Sequence, residues 1–331
     1  MSASVAINVS VIVVSYNTRE ILRVCLESLY ADIDAPAELE VIVIDNASRD
    51  ESADMVAACF PHIQLIRSAA NLGFAAANNL GFQRAQGRYI VLLNPDTQLG
   101  SGVLQTAISH MDAHPSAGLA GGRLIDRDGR LQPSARVFPS LLNEFLVLSG
   151  LAVRFPASRF FGRFDRTWAD PMQASEVDWV PGAFTIIRHE ALRAVGPFDE
   201  RYFLYYEEVD LCRRFKTADW QVWYWPDIEV RHWGGESSKT VENVEFNASG
   251  SQLTLWRMRS GLLYYRKHHG RPVAWLVSGL EQVWHRLRGF RARLASGPDS
   301  TKAQESKRVV QLMQRAWNET EGGRVSPPRP W

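Results

Sequence analysis

Short apolar runs alternate with amphipathic segments along the first hundred residues. Residues 9–14, 41–44, 63–66 and 89–93 are apolar stretches rich in Val, Ile and Leu, which is typical of strands buried on both faces. Between the first two runs, apolar residues recur at helical spacing, at Ile21, Leu22, Cys25, Leu26 and Leu29. This alternation of strand and helix predicts right-handed βαβ units and a mainly parallel sheet with flanking helices.

Polar residues stand where the predicted strands end. Ser15, Asp45 and Asp96 follow apolar runs, and we expect them to meet Gly73 at the carboxyl edge of the sheet, where open α/β sheets bind ligands. Asp45 would be placed to accept hydrogen bonds from a nucleoside. Asp96 would be placed to hold a divalent cation against a diphosphate. Taken alone, residues 94–96 are equally typical of an exposed turn.

Composition narrows the class of protein. The 331 residues are 46% hydrophobic, which suits one large α/β domain with an appendage or two modest domains. A net charge of +1 argues against a general nucleic-acid binder. No G-x-G-x-x-G follows the first apolar run and no P-loop motif occurs, which weighs against nicotinamide and P-loop enzymes.

Cellular location is predicted from the cysteines and the N-terminus. Cys25, Cys59 and Cys212 lack paired or metal-type spacing and lie in helix-like apolar patterns, so we expect them buried in a reducing cytoplasm. The first apolar run is too short for a signal peptide or a membrane span, and no basic segment precedes it. We therefore expect a cytoplasmic protein with, at most, peripheral membrane contact.

Beyond residue 239 the pattern becomes helical and basic. Nine Arg and Lys residues between 257 and 293 face a single acid, Glu281, and alternate with Trp and Leu. Such a helix could lie on an anionic membrane, dock on the preceding domain or cover a second copy of the chain in a homo-oligomer. Residues 322–331 are rich in Gly, Pro and Arg, which predicts a disordered tail.

Seven motifs, in order, resemble those of the inverting, nucleotide-sugar-dependent family-2 glycosyltransferases, and within them the rhamnosyltransferase-like branch. The motifs are VVSYN (13–17), VIDNAS (43–48), NLGFA (71–75), LNPD (93–96), VPGA (180–183), YEEVDLC (206–212) and HWGGES (232–237). The resemblance implies a GT-A catalytic domain over residues 1–238, with a nucleotide-binding half to about residue 125 and an acceptor half from 126. A helical extension would occupy residues 239–331.

The resemblance also implies site residues. The nucleotide-sugar site would comprise Ser15, Tyr16, Asn17, Asp45, Gly73, Asn94 and Asp96. Within it, Asp45 would recognise the base and Gly73 would let the backbone approach the nucleotide closely. Asp96 matches the last acid of the family's D-x-D motif, whose first acid is replaced by Asn94, and it would bind Mg²⁺ or Mn²⁺ together with His232. A lone histidine near a strand end is also commonly a plain hydrogen-bonded residue.

Transfer by a single displacement calls for a general base that deprotonates the acceptor hydroxyl. Residues 207–210 contain the acid cluster of the predicted acceptor half. By resemblance Glu208 occupies the position of the catalytic aspartate, Asp210 is the alternative base, and Glu207 would contact the acceptor side or fix the loop. Gly182 and Ala183 would also face the acceptor. The cluster is equally typical of the acidic first turn of a helix.

Taken together, the predicted site residues indicate a glycosyltransferase of the hexosyltransferase type. The resemblance implies transfer of L-rhamnose from dTDP-rhamnose to a glycan or lipid-linked saccharide for cell-wall polysaccharide synthesis, with a divalent cation as cofactor. Two alternatives stay open at this point. One is the same fold with a UDP-sugar donor, and the other is a non-catalytic module that binds sugar nucleotides or glycans.

Overall fold

The computed structural model describes residues 7–31, 38–234, 251–297 and 300–327. Its helices are α1 Arg19–Ala31, α2 Ser52–Cys59, α3 Phe74–Phe82, α4 Val103–Ala113, α5 Leu141–Leu148, α6 Leu151–Arg154, α7 His189–Val195, α8 Glu207–Thr217, α9 Ser251–Ser296 and α10 Thr301–Glu319. Its strands are β1 Val9–Ser15, β2 Leu39–Asp45, β3 Gln64–Arg67, β4 Tyr89–Leu93, β5 Thr97–Leu99, β6 Ala117–Ile125, β7 Leu131–Gln132, β8 Ser175–Glu176, β9 Phe184–Arg188 and β10 Gln221–His232.

One sheet joins all of these strands, in the order β3-β2-β1-β4-β9-β6-β10-β5, with β7 beside β6 and β8 beside β10. The first four strands are parallel, and the register pairs Ser15 with Asp45 and Val13 with Leu93. Their carboxyl ends therefore lie at one edge. This confirms the predicted βαβ arrangement of the first hundred residues.

The sheet as a whole is mixed rather than mainly parallel. Strand β9 lies between β4 and β6 and runs antiparallel to both, with Phe184 beside Leu93. Residues 126–183 return the chain to the carboxyl edge before β9 enters the sheet, so β9 has to run in the opposite direction. The antiparallel insertion brings the turn at residues 181–183 to the edge where β1, β2 and β4 end.

Helices cover both faces of the sheet. Val11 and Val13 of β1 contribute to the core packed under α1, α2 and α4, whereas Ile12 contributes to the core under α3, α7, α8 and α9. Cys25 and Cys212 are buried as predicted. Cys59 is exposed, because it is the last residue of the short helix α2, so the prediction is wrong for this residue.

The C-terminal segment is a pair of packed helices. Helix α9 bends at Gly270, whose φ is +82°, two residues before Pro272, which cannot donate a helical hydrogen bond. We call residues 251–269 the first arm and residues 271–296 the second arm. Leu262 of the first arm packs with Met313 and Ala316 of α10. No helix in the described residues is both long enough and apolar enough to cross a membrane.

The prediction of a disordered tail is wrong for residues 322–327. Gly323 has φ +85°, and a Cβ built on it would lie 2.1 Å from the carbonyl oxygen of Leu262. The chain therefore passes directly against α9 at a point that only glycine tolerates. Residues 328–331 lie outside the described part.

Candidate functional site

A cavity of about 350 Å³ opens at the carboxyl edge of the parallel strands. It is formed by the ends of β1, β2, β4 and β10, the turn before β9, and the start of α8 and α9. Its polar and glycine lining residues are Tyr16, Asn46, Asn71, Gly73, Asn94, Asp96, Gly182, Tyr205, Glu207, Glu208 and His232. The sheet topology thus brings together most of the site residues that the sequence predicts.

Three predicted nucleotide-binding residues, Ser15, Asn17 and Asp45, do not line the cavity, and the first two take part in neighbouring loops. Ser15 is fully buried, and its Oγ lies 2.9 Å from Oγ1 of Thr18. The side-chain oxygen of Asn17 accepts a hydrogen bond of 2.7 Å from the backbone N–H of Arg49. Both side chains therefore hold the loops after β1 and β2 in place, rather than facing the cavity.

Asp45 is buried just behind the cavity wall. Its Oδ2 accepts a hydrogen bond of 3.2 Å from the backbone N–H of Ser48. Its Oδ1 is buried without a hydrogen-bond partner among the described residues. A buried acceptor left in this state costs free energy, so Oδ1 keeps an acceptor position that a ligand donor would satisfy.

An amide network that the sequence reasoning missed lines the same side. The Nδ2 of Asn46 donates to Oδ1 of Asn71 at 3.0 Å, and Oδ1 of Asn46 accepts from the backbone N–H of Leu72 at 2.8 Å. Both asparagines belong to motifs of the family resemblance, so a signal for them was present. The network fixes the loop that leads into Gly73.

Gly73 is required by a close approach within the protein itself. Its φ is +82°, and a Cβ built on it would lie 2.4 Å from the carbonyl oxygen of Phe203. The backbone N–H of Phe74 donates to that same oxygen at 2.8 Å. The close approach that requires glycine is therefore to the loop before α8, although Gly73 also lines the cavity.

Asp96 and His232 face each other across the cavity floor. His232 Nε2 lies 3.4 Å from Asp96 Oδ1. Gln132 fixes the imidazole of His232 through two contacts. The Nε2 of Gln132 donates to the backbone carbonyl oxygen of His232 at 2.9 Å, and this orients the amide so that the Oε1 of Gln132 lies 2.7 Å from the Nδ1 of His232. Nδ1 must carry a proton to donate to that oxygen, so in the tautomer that could bind a cation Nε2 presents its lone pair on the side of Asp96.

This pair suits a divalent cation that takes its other ligands from a diphosphate and water. A carboxylate oxygen and an unprotonated imidazole nitrogen are both metal ligands, and a hydrogen bond to the second ring nitrogen is the usual support for such a histidine. No group of three or more His, Cys, Asp or Glu side chains capable of holding a metal occurs in the described residues. The protein alone would therefore supply an incomplete ligand set.

Glu207 and Glu208 begin helix α8 and line the cavity. The two residues before them, Tyr205 and Tyr206, both have φ +68°, a left-handed conformation that non-glycine residues seldom adopt. Such strain is found at functional sites, where the surrounding structure holds it in place. Here it turns the chain so that both carboxyl groups enter the cavity wall.

Burial dominates the electrostatics of this acid pair. Burial raises the pKa of Glu208 to about 7, although the backbone N–H at the helix start and Arg136 act in the opposite direction. Burial, and then the charge of Glu208, raise the pKa of Glu207 well above its usual range. The pair therefore favours ionisation of Glu208 before Glu207, whose surroundings favour the neutral carboxyl.

Asp210, the alternative base, does not line the cavity. It is fully buried, forms ion pairs with Arg214 and Lys267 at 2.9 and 2.7 Å, and shares a hydrogen bond of 2.7 Å with Nε2 of His268. Burial alone would raise the pKa of Asp210, but the hydrogen bonds from His268 and Lys267 outweigh it, and the pKa lies below its usual range. The carboxylate ties α8 to α9 and has no open path to the cavity.

Helix α9 completes the cavity with Leu253 and Trp256. Trp256 stacks on Phe203 with 4.4 Å between the ring centroids. The sequence reasoning treated this helix as an extension and did not predict its part in the site. The predicted boundary at residue 238 stays a prediction, because residues 235–250, including Glu236 and Ser237 of the last motif, lie outside the described part.

Comparisons with known proteins bear on both sequence and fold. The model of Glycosyl transferase family 2 matches residues 10–170. The chain is 31% identical over 233 residues to the N-acetylglucosaminyl-diphospho-decaprenol L-rhamnosyltransferase of Mycobacterium tuberculosis, covering 67% of this chain and 75% of that protein. It is 23% identical over 272 residues to the dTDP-rhamnosyl transferase RfbF of Shigella flexneri, covering 79% and 81% of the two chains.

A solved structure shows the same fold. The mannosyltransferase PcManGT of Pyrobaculum calidifontis, determined in complex with GDP-Man and Mn²⁺, matches with a TM-score of 0.54. The match covers 94% of this chain and 88% of that chain, at 16% sequence identity. The mixed sheet with flanking helices is thus the GT-A architecture.

Proposed function

The chain belongs to glycosyltransferase family 2, and from that premise we propose that it is an inverting rhamnosyltransferase. Its donor would be dTDP-rhamnose, and its acceptor a hydroxyl of a glycan or lipid-linked saccharide used for cell-surface polysaccharide. The names of the two relatives support this choice, since both transfer rhamnose, one is named for a dTDP donor, and the other acts on a diphospho-decaprenol. A lipid-linked acceptor would bring the protein to the inner face of the cell membrane as a peripheral component.

The position of Glu208 is the observation that carries the proposal. It lines the cavity, begins a helix and has a pKa of about 7, raised by burial. A general base works best when its pKa lies near the working pH, because both its ionised fraction and its affinity for the proton are then appreciable. Glu208 would accept the proton of the acceptor hydroxyl as the oxygen attacks the anomeric carbon.

Glu207 would take a different part from its neighbour. Glu207 is 3% exposed, whereas Glu208 is partly exposed, and Oε2 of each is buried without a hydrogen-bond partner among the described residues. A protonated carboxyl in this position would donate a hydrogen bond to the acceptor and orient it beside Glu208. Gly182 and Ala183 would form the facing wall, because both line the cavity and the carbonyl of Ala183 accepts from the backbone N–H of Asn94.

Asp96 and His232 would hold the divalent cation, which when bound stabilises the negative charge that builds on the leaving diphosphate. Gln132 would keep the imidazole in the tautomer that leaves Nε2 free of a proton. Asn94 lines the same region but carries no charge. The protein would thus contribute one carboxylate and one imidazole, so the cation would bind chiefly with the nucleotide.

Tyr16, Asn46 and Asn71 would bind the nucleoside end of the donor. All three line the cavity beside the end of β1 and β2. The unsatisfied Oδ1 of Asp45 would accept a hydrogen bond from the base once the donor is seated.

The test is release of nucleoside diphosphate from a donor panel. The purified chain would be incubated with dTDP-rhamnose, a UDP-hexose, UDP-galactofuranose and a UDP-N-acetylhexosamine, with Mg²⁺, Mn²⁺ or a chelator, and with membrane extract as acceptor source. We expect cation-dependent release from dTDP-rhamnose and none from Glu208→Gln. Release from a UDP donor would overturn the donor assignment, and nucleotide binding without any release would indicate a binding module.

A further inference from the structure

The second arm of α9 exposes an apolar stripe. The stripe residues recur at alternating spacings of four and three, which places them on one helical face: Leu276, Leu280, Val283, Leu287, Phe290 and Leu294. Excepting Leu280, these side chains are between 43% and 74% exposed, and Trp275 beside them is 62% exposed. Helices of soluble proteins usually bury such a stripe, so an exposed one marks an interaction surface.

A groove runs beside the stripe. It has a volume of about 1060 Å³ and lies between α5 and the second arm, with Leu142 and Phe145 on one side and Trp275 and Leu276 on the other. Phe145 is itself 42% exposed. The groove extends the apolar surface from α9 onto α5.

Positive charge accompanies the apolar surface. Five arginines lie on the second arm, all exposed: Arg271, Arg286, Arg288, Arg291 and Arg293. Arg288 pairs with Glu305, and the other four form no ion pair with any described residue. The arm's one acid, Glu281, lies near Glu144 and Arg257, where burial raises its pKa to about 7. The arm therefore presents apolar side chains and cations without exposed acid.

From this surface we propose that the second arm and α5 dock on an anionic lipid bilayer. Trp275, Phe290 and Leu294 would enter the interface, and the arginines would contact lipid phosphates. A second copy of the chain fits less well, because two such arms would face each other with like charges. The proposal rests on the proposed function, since a lipid-linked acceptor resides in the membrane.

The apolar surface formed by the second arm and α5 lies close to Glu208, as docking on a bilayer that carries the acceptor would require. Arg136 lies close enough to Glu208 to lower its pKa, and the chain reaches Leu141 in the groove five residues later. Five residues span at most about 18 Å. A saccharide attached to a lipid in the docked bilayer would therefore be near the catalytic cavity.

The experiment is vesicle flotation of the full chain with phosphatidylglycerol-containing and pure phosphatidylcholine vesicles. We expect binding to the anionic vesicles that weakens with salt. Arg291→Gln combined with Arg293→Gln should lower the partition coefficient about thirtyfold, since each basic residue near an anionic surface contributes about fivefold. Phe290→Ser combined with Leu294→Ser should lower it at least about tenfold, because less apolar surface is buried.

A matched control removes the same charge elsewhere. Arg84 and Arg193 are exposed and line neither the cavity nor the groove, so Arg84→Gln combined with Arg193→Gln should leave flotation within about twofold of wild type. Absence of flotation, or equal binding by all variants, would overturn the proposal. A concentration-dependent dimer that Phe290→Ser with Leu294→Ser dissociates would also overturn it, by showing that a second copy covers the stripe.

Two further outcomes separate this inference from the proposed function. Normal diphosphate release with detergent-solubilised membrane extract, together with no flotation, would refute the docking surface alone. Flotation with the expected variant effects, together with no turnover of any donor, would refute the proposed function and leave the docking surface standing.

Discussion

The pH dependence of turnover should follow the ionisation of Glu208. The rise of its pKa from an ordinary 4.5 to about 7 corresponds to about 3 kcal/mol in favour of the neutral carboxyl. A base has to be ionised to act, so activity should be present above the raised pKa and should be lost as the pH falls through it. With a pKa of about 7, about half of the molecules are ionised at pH 7 and about one in a hundred at pH 5.

The assay is kcat/KM for the sugar nucleotide between pH 5 and 9, for wild type and two single amidations. Glu208→Gln should lose 10²- to 10⁴-fold, about the contribution of a general base, above pH 7, and its residual activity should not fall further through pH 7 because the amide does not titrate. Glu207→Gln is the matched control, because the amide resembles the neutral carboxyl of Glu207 in shape and charge. It should lower activity by less than about tenfold and leave the apparent pKa near 7, since it removes no negative charge.

Two results would refute this reasoning. If Glu207→Gln moved the apparent pKa down by one unit or more, Glu207 would carry a charge in the wild type and the order of ionisation would be reversed. If Glu208→Gln kept near-normal turnover while Asp210→Asn abolished it in a folded protein, Asp210 would be the base.

Two further predictions concern the cation site and the buried ion-pair network. His232→Ala should raise the Mn²⁺ concentration needed for half-maximal activity. Gln132→Ala should raise that concentration by about 10- to 100-fold, because the imidazole loses its hydrogen bond, whereas His110→Ala, remote from the cavity, should leave it unchanged. Equal Mn²⁺ titrations for all three variants would contradict the cation site. Asp210→Asn should lower the free energy of unfolding by about 3 kcal/mol, because Arg214, Lys267 and His268 lose the fully buried carboxylate that they share. Asp128→Asn, at an exposed pair, should change it by less than about 1 kcal/mol. Denaturant titration measures both values, and equal stabilities would show that the network contributes nothing.

The pattern of apolar and polar residues was sufficient to predict the strands of the nucleotide-binding half of the fold. Apolar runs rich in β-branched residues mark β1, β2 and β4 because strands buried on both faces exclude polar side chains. The antiparallel course of β9 could not be read in this way. Its direction depends on the path of residues 126–183, whose sequence has no regular period.

The residues of the candidate site likewise divide into those that the sequence could predict and those that it could not. Asp96 and His232 were paired only through the family resemblance, since no local pattern connects residues 136 positions apart. Glu208 was favoured over Asp210 only through the family resemblance. Successive helical residues turn by about 100°, so the two acids point in different directions, and the sequence alone does not show which of them faces the cavity. Two of the three partners of Asp210, Lys267 and His268, lie on α9, and so does Trp256, which lines the cavity. Contacts between distant elements decide which acid is available for chemistry.

The most direct test of the central claim is the anomeric configuration of the transferred sugar. Donor of known configuration would be incubated with the wild-type chain, the divalent cation and membrane-derived acceptor, and the product linkage would be determined by NMR. A single displacement with Glu208 as base predicts that the product has the opposite anomeric configuration to the donor and that Glu208→Gln forms none. A product with retained configuration, or undiminished product from Glu208→Gln, would contradict the account.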